Sequence, residues 1–166
     1  MGGAECLEVD WKTVKVEQAP LDDRYGRQAI GGSRGTPDGW VDLRIAGTAA
    51  RTLLIAAAAK NWSVSPEECE ASEGTVIHAR SGKVARYESL LAVAATLPVP
   101  DVADLKLKSR PSEFKLLGTF VPGVDNLKIT TGQPLFGCDV RLEGMLYAVF
   151  EKCPTFGGKV RSANVE

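Results

Sequence analysis

Between Pro37 and Trp62, Leu43, Ala46, Ala50, Leu53, Leu54 and Ala57 recur at three- and four-residue steps, while Arg44, Arg51 and Lys60 fall on other faces. That spacing predicts one long helix. Ala46, Ala49, Ala50 and Ala56 to Ala59 make it thin, so a neighbour can approach closely and bury it. Thr36 followed by Pro37 has the order of an N-cap residue and a first-turn proline, and Asp38 suits the positive end of the helix dipole.

Elsewhere the pattern is shorter in range. Val14 and Val16 alternate with Lys15 and Glu17, which predicts a half-exposed strand within Trp11 to Gln18, ended by Pro20. Leu21 to Gly35 carries Asp22, Asp23, Gly26, Gly31, Gly32 and Gly35, too many turn formers for regular structure. After the helix, Ser65-Pro66-Glu67-Glu68 predicts one serine-capped helical turn. Glu70 to Ser72, Thr75 to Ala79 and Lys83 to Tyr87, separated by Gly74 and Gly82, predict an antiparallel meander, and Glu88 to Leu97 a short helix closed by Pro98. The polar, proline-punctuated stretch 98–112 is the candidate domain boundary. Beyond it, Lys115 to Val121, Met145 to Glu151 and the residues from Lys159 are expected strands, the last without a later partner in the sequence. No internal repeat is evident, which excludes a solenoid.

Composition narrows the class. The 166 residues are 44% hydrophobic and 25% charged, enough to bury a core. Twenty basic and 21 acidic residues are interspersed for a net charge of -1, so there is no electrostatic footprint for nucleic acid or an anionic membrane. The longest apolar run, Leu53 to Ala59, is far short of the roughly 20 residues that span a bilayer. Met1 to Asp10 lacks the regions of a signal peptide, so the chain as written reads as soluble and unexported.

Little of this composition carries chemistry. Cys6, Cys69, Cys138 and Cys153 are scattered, with no CxxC pair and one histidine, His78, so a zinc or iron-sulfur site is not expected. His78 falls on an expected strand with no nucleophile-base constellation that sequence can define, and reads as a partly exposed strand residue. Asp22 and Asp23 read as loop carboxylates. Gly31-Gly32-Ser33-Arg34-Gly35-Thr36 differs. Small residues let backbone N–H groups converge on one ligand, and the helix that follows adds about half a positive charge. Ser33, Arg34, Thr36 and Gln28 offer further donors. The motif is neither a P-loop nor a dinucleotide fingerprint, and composition leaves two readings open: an anion site, or a loop before a capped helix.

Three stretches resemble a known family. They are Val14-Lys-Val-Glu-Gln-Ala-Pro20 through Gly31-Gly-Ser-Arg34 and Trp40; Leu53 to Trp62 with Val64 and Pro66-Glu-Glu-Cys69; and Phe114-Lys-Leu-Leu-Gly-Thr119 through Phe136-Gly-Cys-Asp-Val-Arg-Leu-Glu-Gly-Met-Leu-Tyr-Ala148, with Cys153-Pro-Thr-Phe-Gly-Gly-Lys-Val160 after it. The chain thereby resembles the large, molybdopterin-binding subunit of the molybdenum hydroxylases, the xanthine dehydrogenase and aldehyde oxidase family, and within it the isoquinoline 1-oxidoreductase beta subunits.

The resemblance implies an α+β chain: part of a molybdenum-cofactor-binding domain (1–97), a linker (98–112), and the beginning of an α/β hammerhead domain (113–166). It implies that Gln28, Gly31, Gly32, Ser33, Arg34 and Thr36 help hold molybdopterin, in its cytosine dinucleotide form, with no catalytic residue and no metal ligand in this stretch. It further implies a small partner subunit with two [2Fe-2S] clusters, the rest of the large subunit, and an aldehyde or N-heterocycle substrate hydroxylated with oxygen from water. The cofactor does the hard chemistry and the protein positions it.

Two departures qualify the match. The family's Gly-Gln-Gly cofactor motif and C-terminal Gly-Glu pair are absent, and Gly35-Thr-Pro-Asp-Gly39 replaces an expected Ser/Thr-rich basic stretch. The expectation is a fragment that is inactive alone and retains no cofactor, from a parent for which a periplasmic location is compatible. The rival expectation is a non-catalytic α+β interaction module whose glycine loop is a connector.

Overall fold

In the computed structural model, residues 1–164 are described. The last two residues of the expected 113–166 domain lie outside them. Contacts divide the chain into two compact units, Met1–Pro122 and Gly123–Glu166.

The first unit is built on the long helix. Helix α1 (Gly2–Leu7) packs against α2 (Gly35–Trp62). The crossing depends on Gly47: a Cβ there would lie 2.5 Å from the Gly3 carbonyl oxygen and 3.0 Å from the Cys6 Cβ. The alanine-rich half of α2 buries Ala57, Ala58 and Ala59, as its thinness predicts. Its C-terminus closes on left-handed Ser63, with Val64 N–H donating to the Ala59 carbonyl at 3.1 Å.

The expected meander is present. Strands β1 (Cys69–Ser72), β2 (Thr75–His78) and β3 (Lys83–Arg86) pair antiparallel in sequence order, with Ala71 opposite Val76 and Val76 opposite Ala85. Glu73 and Gly74 both have positive φ, the geometry that fits a two-residue hairpin to strand twist. Helix α3 (Tyr87–Ala94) follows, and its last residues tighten into three-residue turns at Thr96 and Leu97 instead of extending the helix. Leu54, Ala57 and Ala58 from α2, Ala71 and Val76 from the sheet, and Tyr87, Leu90 and Ala94 from α3 form the core. The Tyr87 hydroxyl donates to the Leu7 carbonyl at 2.7 Å, tying α1 to it.

Several sequence expectations are corrected. Trp11 to Gln18 is not a strand: Asp10 accepts from Lys12 N–H and starts a 3-10 turn, Trp11–Thr13, and no strand lies beside the residues that follow. Lys115 to Val121, Met145 to Glu151 and the stretch from Lys159 through Asn164 form no strand either. Alternation or an apolar run selects a face but supplies no ladder partner for the backbone. Thr36 lies inside α2 and Arg34 takes the N-cap position, so the predicted threonine cap is not made. Pro66–Glu68 does form the expected turn, although the Ser65 hydroxyl bonds Glu67 rather than capping it.

The connector 98–112 is bound into the first unit. Arg44 Nη2 donates to the Lys108 carbonyl and Arg51 Nη2 to that of Lys106, so the break in contacts falls after Pro122. In the second unit α4 (Asn126–Thr130) precedes a 3-10 turn, Gly137–Asp139, whose Asp139 carboxylate accepts from the Leu135 and Phe136 amides. Leu146, Val149 and Phe150 there stand in solvent, each more than four-fifths exposed.

Candidate functional site

The glycine-rich segment is a turn leading into α2. Gly32 (φ 59°) and Ser33 (φ 57°) are both left-handed, and the Arg34 amide donates to the Gly31 carbonyl at 3.2 Å. Glycine adopts this conformation freely, whereas Ser33 holds it at a strain cost. Among the described residues the amides of Gly32, Ser33, Gly35 and Thr36 donate to no protein group. These four unpartnered donors lie at the start of a 28-residue helix, where its dipole is positive.

The side chains behave differently from one another. Arg34 Nη2 lies 2.6 Å from Asp38 Oδ1, so its charge is already matched one turn into the helix. Gln28 does not reach the turn: its Oε1 accepts from the Asp22 amide at 3.0 Å and its Nε2 donates to the Pro20 carbonyl at 2.9 Å. Both ends of that amide close the 20–28 loop, within which Asp22 grips Arg24 through Nε and Nη2. The Arg24 side chain and amide hold the Asp22 carboxyl below its usual range. Ser33 and Thr36 are exposed and free to donate. Beside the turn, Tyr25, Arg27, Ile30, Asp38, Asp42 and Leu43 help line an open groove of about 510 Å³.

Two buried polar clusters escaped sequence reasoning. Glu5, 2% exposed, takes Lys108 Nζ at 2.5 Å and the amides of Lys115, Leu116 and Leu117 at 2.6 to 3.1 Å. Burial pushes its carboxyl up, but Lys108 and those amides outweigh it and bring it down to about 2. Glu8 also meets Lys108 (2.5 Å) and Lys115 (2.7 Å), and is likewise lowered against the opposing effect of burial. Partners a hundred residues apart in sequence leave no local signal. His78 forms the second cluster, and is buried at 3% exposure rather than partly exposed. Its Nδ1 lies 2.7 Å from Ser81 Oγ and its Nε2 3.1 Å from Glu68 Oε2, with Trp62 packed alongside. The His-x-x-Ser spacing across a hairpin was the one visible hint. All four cysteines are free, and no metal-binding group of His, Cys, Asp and Glu occurs among the described residues.

The turn thus leaves four backbone N–H groups without a protein acceptor at the start of α2. No family model matches the sequence. It is 33% identical, over 93% of its length, to isoquinoline 1-oxidoreductase subunit beta of Brevundimonas diminuta. The chain is similar to part of an oxidoreductase subunit. It is also 30% identical, over 97% of its length, to the membrane-bound aldehyde dehydrogenase (pyrroloquinoline-quinone) of Gluconacetobacter polyoxogenes. Both relatives are oxidoreductases by name, and the chain spans 24% and 21% of their lengths. The similarity to these two oxidoreductases therefore extends over nearly the whole chain. No helix among the described residues is long and apolar enough to cross a membrane.

Proposed function

We propose that the chain is a segment of a molybdenum-dependent oxidoreductase large subunit and contributes one wall of its molybdopterin pocket at Gly31 to Thr36. The observation that carries this reading is the set of unpartnered amides of Gly32, Ser33, Gly35 and Thr36 at the positive end of α2. Those donors suit the phosphate end of a pterin cofactor, with the Ser33 and Thr36 hydroxyls beside them. Gln28 shapes the loop instead of touching the ligand, and Arg34 joins it only by leaving Asp38.

When bound, such a cofactor supplies the redox chemistry that hydroxylates an aldehyde or N-heterocycle carbon in the parent subunit. This chain's own part is to orient the cofactor's anionic end and hold it at a helix terminus. The proposed fold assignment is a partial cofactor-binding domain followed by the start of an α/β hammerhead. An iron-sulfur partner subunit, and the cytosine dinucleotide form of the cofactor, belong to the same proposal. The name of the second relative carries pyrroloquinoline quinone, which is also anionic, so the cradle alone selects charge rather than cofactor.

The Arg34–Asp38 pair favours a second reading, in which the turn is only a connector whose arginine is already satisfied. Titrating the 15N-labelled chain with inorganic phosphate and pyrophosphate separates the two. The proposal expects saturable shifts confined to the Gly32, Ser33, Gly35 and Thr36 amides, with weaker binding in Arg34→Ala. Amides that do not respond would leave the connector reading standing.

A further inference from the structure

We propose that Arg44 and Thr48 bind one buried water molecule that helps hold α2 to the 105–110 segment. Arg44 is used at two points: its guanidinium lies 4.9 Å from the Trp40 ring centroid, and its Nη2 donates to the Lys108 carbonyl. Its Nε is buried and meets no acceptor in the protein. One turn on, Thr48 is 1% exposed, and its Oγ1 is also buried without a partner. The neighbouring Thr52 hydroxyl bonds the Thr48 carbonyl, so it does not satisfy the Thr48 side chain.

These two orphaned groups sit at positions i and i+4 of one helix, which places them on one face with Cβ atoms about 5–6 Å apart. Arg44 Nε–H can only donate, whereas a hydroxyl can donate or accept. A water accepting from Arg44 Nε–H and donating to Thr48 Oγ1 satisfies both, each through a hydrogen bond of about 2.8 Å. Buried polar groups are rarely left unpaired, and enclosed water is the usual partner where protein supplies none. An acidic side chain could serve Arg44, yet Glu5 and Glu8 are already held by Lys108. The segment receiving the bond lies within the expected linker 98–112, so the water belongs to the contact that holds it to α2.

Water–amide cross-relaxation on the 15N-labelled chain tests this at Arg44 Nε–H. The expected result is a cross-peak from a long-lived water, kept in Thr48→Ser and lost in Thr48→Val, with Thr48→Val lowering the Tm by about 2–4 °C. A wild-type chain without that cross-peak overturns the proposal whether or not the variants fold. A cross-peak that survives Thr48→Val, or a Thr48→Val chain that melts above wild type, overturns it as well.

Discussion

Glu5 shows how much one side chain carries here. Its carboxylate, 2% exposed, joins α1 to the 108–117 segment through Lys108 and three consecutive amides. Nothing in Gly2-Gly3-Ala4-Glu5-Cys6 marks that role, because a glutamate in a short amphipathic stretch is normally a solvated residue. Truncating one member of a buried ion pair costs about 3–5 kcal/mol, since the remaining charge stays buried. Glu5→Gln is therefore expected to lose about that much in urea-unfolding free energy. Its carboxyl is lowered from 4.5 to about 2 in the folded chain, so it binds fewer protons folded than unfolded. The stability it contributes is full above pH 4.5 and falls as pH drops toward 2, by roughly 3 kcal/mol. Unfolding curves from pH 6 to pH 2 should show this acid limb in the wild-type chain and a flatter one in Glu5→Gln.

At the scale of elements, α2 and the meander were both legible, for different reasons. The helical periodicity from Pro37 to Trp62 gives many independent votes, and the Glu73-Gly74 turn sets a hairpin by local conformation alone. The start of α2 was less legible: Thr36-Pro37 has the composition of a cap, yet the chain enters the helix two residues earlier through a left-handed turn. Such a turn depends on how the preceding loop closes, and Gln28 closes it by reaching back to Pro20 and Asp22. The packing of α1 on α2 adds a prediction at this scale. Gly47→Ala places a methyl group against the Gly3 carbonyl, where backbone must shift. Overpacking of this kind costs about 1–3 kcal/mol, which guanidinium unfolding should detect. An unchanged midpoint would mean that α1 does not hold the position described.

For the whole molecule, the two units differ in how much side chain they bury. The first has a core shared by α2, the sheet and α3, whereas Leu146, Tyr147, Val149 and Phe150 in the second are exposed. Limited trypsin digestion is expected to cut first at Lys128, Arg141 and Lys152 and to leave a product close to Met1–Pro122, read by mass spectrometry. Early cleavage within α2 or the meander would contradict that order. By itself the sequence determined what depends on near neighbours: the long helix, the hairpins, the glycine-rich turn and the family resemblance. Tertiary structure decided what depends on distant partners: that Val14 and Val16 find no strand to pair with, that Arg44 and Arg51 bond the Lys108 and Lys106 carbonyls, and that Glu5 and His78 are buried. Periodicity records which face of a segment is apolar, but a ladder, an ion pair or an orphaned donor exists only once the partner is in place.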